Sequence, residues 1–174
     1  MEKEKFVALV SFVFCVCLIV GLSIACGENS PKKPAAITGK VGETLKSDNF
    51  EITVTSITSS KTIGGGFVTE KAGEGAIFVI VNYKSKNITS KPISSFSLPR
   101  VILIDPDNTV YEKASGASSM YKASGGIDTK VLSDLNPGIT QRDANAFEIA
   151  NENWKKSGWK VRIKADKNID VIAK

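Results

Sequence analysis

The sequence predicts an all-β fold, an antiparallel β-sandwich of about seven to eight strands, and three observations carry that expectation. Apolar residues recur with a period of two, turn-forming residues separate the apolar runs, and no long stretch carries helical spacing. Seven or eight short strands within about 135 residues match the strand density of a sandwich.

The elements follow in chain order. Weaker strands are expected at about 39–46, 109–113, 140–149 and 168–172. Phe50, Ile52 and Val54 alternate with Glu51, Thr53 and Thr55, the pattern of a strand with one buried face. Ala76 to Val81, continued by Asn82 and Tyr83, and Val101 to Ile104 lack a polar face, so both are expected to be central and covered on two sides. Trp159, Val161 and Ile163 alternate with Lys160, Arg162 and Lys164. Asp105-Pro106-Asp107-Asn108 is a hairpin turn, and Leu135-Asn136-Pro137-Gly138 places Pro and Gly at the central positions of a type II turn. Two segments read as loops: Gly64-Gly65-Gly66, and the Ser-, Gly- and Ala-rich run from Ala114 to Lys130, whose Met120 and Tyr121 are expected to tuck onto the sandwich.

These signatures also occur in a suggestive order. Gly42-Glu43-Thr44 precedes the Phe50 strand, and Gly75 leads into Phe78 to Tyr83 with Asn87 closing the strand. Phe96-Ser97-Leu98, Asp107 to Tyr111, Leu135 to Gly138 and Ala146-Phe147-Glu148-Ile149 follow. From Gly39 to Ile172 the chain resembles the immunoglobulin-like domain of unknown function found in many bacterial lipoproteins, which is akin to the mycobacterial immunoprotective extracellular antigen. The resemblance implies an Ig-like antiparallel β-sandwich on the outer side of a membrane, and it supplies no catalytic residues.

The N-terminal segment agrees with that placement. Phe6 to Ala25 is an apolar run preceded by Lys3 and Lys5, and it ends at Ala25-Cys26 before a polar stretch, Gly27 to Pro34. It resembles the lipobox of bacterial lipoproteins, with Ser23 three residues before the cysteine, where leucine is usual. Residues 1–25 then form a signal peptide, 26–38 a lipidated cysteine with its tether, and 39–174 the folded domain. An uncleaved anchoring helix is the alternative, since twenty apolar residues are long enough to span a bilayer. Either places the domain outside the cytoplasm, held to the cell membrane or, with Gly27 rather than aspartate after the cysteine, the outer membrane. Cys15 and Cys17 leave with the signal peptide, so no disulfide is expected and the 149 residues from Cys26 onward rely on their core.

Chemistry is sparse. The chain has no histidine, which removes Ser-His-Asp and Cys-His catalysis and histidine-bearing metal sites. Ser119-Met120-Tyr121-Lys122 matches S-x-x-K, but Ser47-Asp48-Asn49 lies on the wrong side of it and no K-T-G exists, so a hydrolase using Ser119 and Lys122 is a minor alternative. Asp105, Asp107, Asn108 and Glu112 could offer oxygens to calcium, yet Val110 stands where an EF-hand loop needs glycine. A small-ligand or calcium-sensing domain is the second reading. No cofactor and no catalysis are expected. The formal charge is +5 and the pI about 9.1, modest for nucleic-acid binding. The densest basic feature is Lys155, Lys156, Lys160, Arg162 and Lys164, with Lys167 beyond and only Asp166 among them. It is a candidate site for a polyanion or acidic partner, or else a solvated edge strand blunted by lysines. The expected function is therefore a membrane-anchored binding module of the cell envelope, with a protein or envelope polymer as partner.

Overall fold

A computed structural model describes residues 35–65, 68–125, 127 and 133–174. Cys26, the signal peptide, most of the tether and Gly66 lie outside the described residues. Among the described residues eleven strands form two facing sheets and a hairpin: β1 (Ile37–Lys40), β2 (Thr44–Lys46), β3 (Phe50–Ser60), β4 (Thr62–Gly65), β5 (Val68–Lys71), β6 (Ala76–Asn87), β7 (Arg100–Ile104), β8 (Val110–Tyr111), β9 (Thr140–Ala150), β10 (Lys160–Lys164) and β11 (Asn168–Ile172). One sheet has the order β1-β11-β10-β7-β8, the other β2-β3-β6-β9, and β4 pairs with β5.

The main core lies between the two sheets. Phe50, Ile52 and Val54 of β3, Val79 and Val81 of β6 and Phe147 and Ile149 of β9 meet Val101, Leu103, Val161, Ile163 and Ile169 of the other sheet. Each fully buried side chain of this size contributes roughly 1.5–3 kcal/mol of transfer free energy, enough for a domain without disulfides. Trp159, fully buried, donates its indole N–H to the Asn153 carbonyl at 3.1 Å and packs beside Trp154 and Tyr111.

The all-β sandwich read from the sequence is what the chain forms, with five differences in detail. Residues 39–46 are two strands rather than one, because Gly42 takes φ +89° and sends β1 and β2 into different sheets. The β1–β11 pairing is parallel, so one sheet is mixed. Gly64 and Gly65 belong to strand β4 of the β4–β5 hairpin rather than to a loop, and Gly64 at φ +108° leaves no room for a side chain beneath Met120. Strand β10 is not an edge strand; it pairs with β7 on one side and β11 on the other.

The fifth difference is a helix, α1 (Ser115–Ser124), inside the segment expected to be a loop. Its serines and Gly116 are poor helix formers, and no side chain caps its N-terminus. Tertiary contacts hold it instead. Ala117 and Ser118 are buried, and Met120 and Tyr121 tuck onto a second core of Ile63, Phe78, Ile80 and Ala146 on the outer face of the β6 sheet. Strand β9 is the edge of that sheet, and α1 satisfies it: the Ala146 N–H donates to Ser118 Oγ at 2.9 Å, and the Ala114 N–H donates to the Ala146 carbonyl at 2.8 Å. A four-residue helix, α2 (Asn151–Trp154), follows β9.

Asn87 ends β6 and is fully buried. Its amide donates to the Lys91 and Leu135 carbonyls at 2.8 Å each, while its oxygen accepts from the Thr89 N–H and hydroxyl at 2.8 Å each. Asn87, the buried first residue of the Asn-Ile-Thr triplet, is thus a clasp between the β6–β7 and pre-β9 loops. At the type II turn, Gly138 takes φ +75° and the Ile139 N–H donates back to the Asn136 carbonyl. Among the described residues no helix is long and apolar enough to cross a membrane.

Candidate functional site

A bulge shapes one concavity on the outer face of the β6 sheet. The β3–β6 register shifts between Val54 and Ser56, which leaves Thr55 unpaired and returns Ile57 to the core face. Thr55 Oγ1 donates to the Asn82 carbonyl at 3.1 Å, satisfying the ladder where it is interrupted. Beside the bulge, α1 overhangs the sheet, and between them lies a cleft of about 480 Å³ lined by Ser56, Asn82, Lys84, Tyr121, Arg142 and Asp143, among others.

Its polar groups fall into two sets. One is saturated by the fold. Asp143 Oδ2 accepts from the Tyr83 hydroxyl at 2.8 Å, and Oδ1 accepts from the Ala144 N–H at 2.8 Å and pairs with Lys122 Nζ at 3.2 Å. Burial, reinforced by the Asp143 charge, pushes the Tyr83 phenol well above its ordinary range, so it stays a neutral donor. Asn82 donates to Ser56 Oγ at 3.1 Å and contacts the Tyr121 hydroxyl at 3.3 Å.

The other set is two cations. Lys84 on β6 and Arg142 on β9 are direct cross-strand partners with exposed side chains. Neither takes part in an ion pair among the described residues. Like charges directly opposite each other cost stability unless an anion bridges them. With Asp143 already balanced by Lys122, the cleft presents two positive charges, a planar guanidinium fork suited to oxyanions, and the Tyr121 hydroxyl nearby.

The basic residues singled out from the sequence are dispersed and mostly neutralised. Lys155 pairs with Glu152 at 2.7 Å and Lys156 with Asp107 at 3.3 Å, both ahead of β10 in the chain. On the outer face of β10, Arg162 grips Asp170 of β11 with two hydrogen bonds of 2.6 Å. Those bonds, with the Asp170 charge, raise the Arg162 pKa further. Lys160 is half-buried and Lys164 exposed at the far end of the strand. Sequence alternation does put Lys160, Arg162 and Lys164 on one face, yet only two of the three are unpaired.

The remaining candidates separate as well. Ser119 is exposed and lines a different hollow, with Gly64, Val68 and Met120, while Lys122 is committed to Asp143. In the β7–β8 turn the Asp105 oxygens accept from the Thr109 N–H at 2.7 Å and the Tyr111 hydroxyl at 3.1 Å. Burial of Asp105 opposes its ionisation, but the bonds from Thr109, Tyr111 and the Asp107 backbone outweigh it and hold its pKa below the ordinary value. Asn108 there takes φ +65°, and no group of three metal-ligating side chains converges among the described residues.

The fold and this cleft define the chain as a two-sheet β-sandwich carrying an added layer of hairpin and helix. Residues 39–156 match the family model described as domain of unknown function DUF4352, and the chain belongs to that family. The chain is similar to the Bacillus subtilis (strain 168) protein YxkC, with 42% identity over 130 residues covering 74% of this chain and 72% of that one. A conserved hypothetical protein from Bacillus anthracis, solved by crystallography, superposes with a TM-score of 0.68 at 25% identity, covering 75% of this chain and 93% of that one. A β-sandwich protein from Clostridium difficile 630 superposes with a TM-score of 0.58 at 15% identity, covering 84% and 100%, and shares the fold.

Proposed function

We propose that the protein is a non-catalytic binding module of the cell envelope, lipid-anchored at Cys26 outside the cytoplasm, which holds an anionic group in the cleft between α1 and the β3 bulge. The observation that carries the binding role is the Lys84–Arg142 pair, two cations facing each other across a ladder, neither of them in an ion pair among the described residues. A sandwich can place either sign of charge at such a position, and an opposite pair would stabilise it. Two cations there favour an oxyanion, a phosphate or carboxylate carried by an envelope polymer or an acidic protein segment.

The anchor reading is supported by the apolar run that ends at Ala25-Cys26. Replacing Cys26 with serine is expected to move the protein from the membrane fraction to the soluble one; unchanged fractionation removes lipidation. The binding role is tested by titrating the protein with inorganic polyphosphate at low and high salt. Saturable binding that weakens steeply with salt is expected, and absence of binding overturns it.

A further inference from the structure

Between β6 and β7 the chain makes a short 3-10 turn, Ser95–Ser97, and Phe96 within it is 93% exposed, the most exposed large apolar side chain of the described residues. Ile88 and Ile139 are also exposed, and backbone bonds place them at the same end of the sandwich: the Ile88 N–H donates to the Asn49 carbonyl and the Asn87 N–H to the Ile139 carbonyl. The Ile93–Leu135 bridge ties the Phe96 loop to the strand leading toward Ile139.

Strand β1 starts at this end too. Ile37 pairs with Ile169, which faces Ile163, and the next step along the sheet is the Lys164–Arg100 pair. That pair is a second set of cations in direct cross-strand register, exposed and without an ion-pair partner among the described residues, and Lys91 is likewise unpaired. Most nearby carboxylates are occupied: Asp48 pairs with Lys167 at 2.6 Å, and Asp166 accepts from the Ser47 hydroxyl and the Asp48 N–H at 2.8 Å each. Asp134 is exposed at the flank.

We infer that this end docks on the membrane, with Phe96, Ile88 and Ile139 entering the headgroup region and Arg100, Lys164 and Lys91 meeting anionic lipid headgroups. The occupant follows from where the chain enters. The eleven Cα–Cα steps from Cys26 to Ile37 span at most about 40 Å even when fully extended, so an anchored chain delivers this end to the bilayer before any other. An exposed aromatic among isoleucines and cations is the composition that partitions to a bilayer interface. Docking would turn the opposite end, with Trp154 and Lys174, outward.

The inference rests on membrane attachment through the N-terminal segment, and one experiment separates the two. In the full chain with Cys15 and Cys17 replaced by serine, a fluorophore is placed at Ser97→Cys or, as a control at the opposite end, at Glu74→Cys. The purified lipidated protein is reconstituted into phosphatidylcholine vesicles with and without phosphatidylglycerol. Flotation with vesicles reports attachment. Docking predicts several-fold stronger quenching by a lipid-borne quencher at position 97 than at 74, enhanced by phosphatidylglycerol and reduced by Phe96→Ser or Arg100→Glu. Flotation with equal quenching at the two positions overturns docking and leaves the anchor standing; failure to float overturns both.

Discussion

The two sheets each place a row of cations on their outer face, and the rows differ in what the fold does with them. On the β10 sheet, Arg162 stands opposite Asp170, and the two side chains, 25% and 11% exposed, are locked together. On the β6 sheet, Lys84 stands opposite Arg142, and neither has an ion-pair partner among the described residues. A polar group whose partners the chain supplies is structural, whereas one left unanswered beside a cleft is available to a ligand. Asn87 and Asp143, with every strong bond filled from within, belong with Arg162; Lys84 and Arg142 do not.

Substitutions should sort by that distinction. The largest effect is expected from Asn87→Ala, which removes the amide's bonds to the Lys91 and Leu135 carbonyls and to the Thr89 N–H and hydroxyl and so opens the clasp between two loops; urea unfolding should show a loss of about 3 kcal/mol. Asp170→Ala strands the Arg162 guanidinium, and a loss of about 2 kcal/mol is expected, below a fully buried pair because both groups retain some water. The β6 sheet should behave oppositely: Arg142→Glu creates an attractive cross-strand pair with Lys84 and should raise stability by about 0.5 kcal/mol while abolishing anion binding. Destabilisation by that charge reversal would place Arg142 among the structural residues and break the comparison.

A smaller effect concerns acid. On the β6-sheet face, Glu51 pairs with Lys46 at 2.9 Å and lies 3.9 Å from Lys86. The Lys46 hydrogen bond, with the charges of both lysines, holds its pKa below the ordinary 4.5. Its contribution to stability is therefore present above about pH 4.5 and is lost as the pH falls through the lowered value. Urea midpoints measured between pH 6 and pH 3 (roughly the span around an ordinary carboxylate pKa) should fall less in Glu51→Gln than in the wild type. The smallest effect belongs to Lys155→Ala and Lys156→Ala, whose exposed pairs should each be worth under about 0.5 kcal/mol.

Much of the fold is legible in the residues. Alternation locates β3 and β10, unbroken apolar runs locate β6 and β7, and Pro137-Gly138 marks its turn. Helix α1 is not legible, because Ser and Gly oppose it locally and only Ala146 and the second core, distant in sequence, hold it. The bulge leaves a trace: apolar positions 50, 52 and 54 are followed by Ile57, a step of three where a regular strand takes two. Asp170 as partner of Arg162 also follows from a hairpin turning at Ala165–Lys167, which pairs residues symmetrically about the turn. The Lys84–Arg142 pairing carries no local signal, since the two strands are far apart in the chain and their register is set by packing.

The most direct test compares polyphosphate titrations of the wild type, Arg142→Glu and Lys160→Glu under one low-salt condition. The account predicts that Arg142→Glu weakens binding at least about tenfold, roughly 1.4 kcal/mol, while Lys160→Glu on the other sheet leaves affinity close to wild type. Equal losses in both variants, or losses confined to Lys160→Glu, would contradict it.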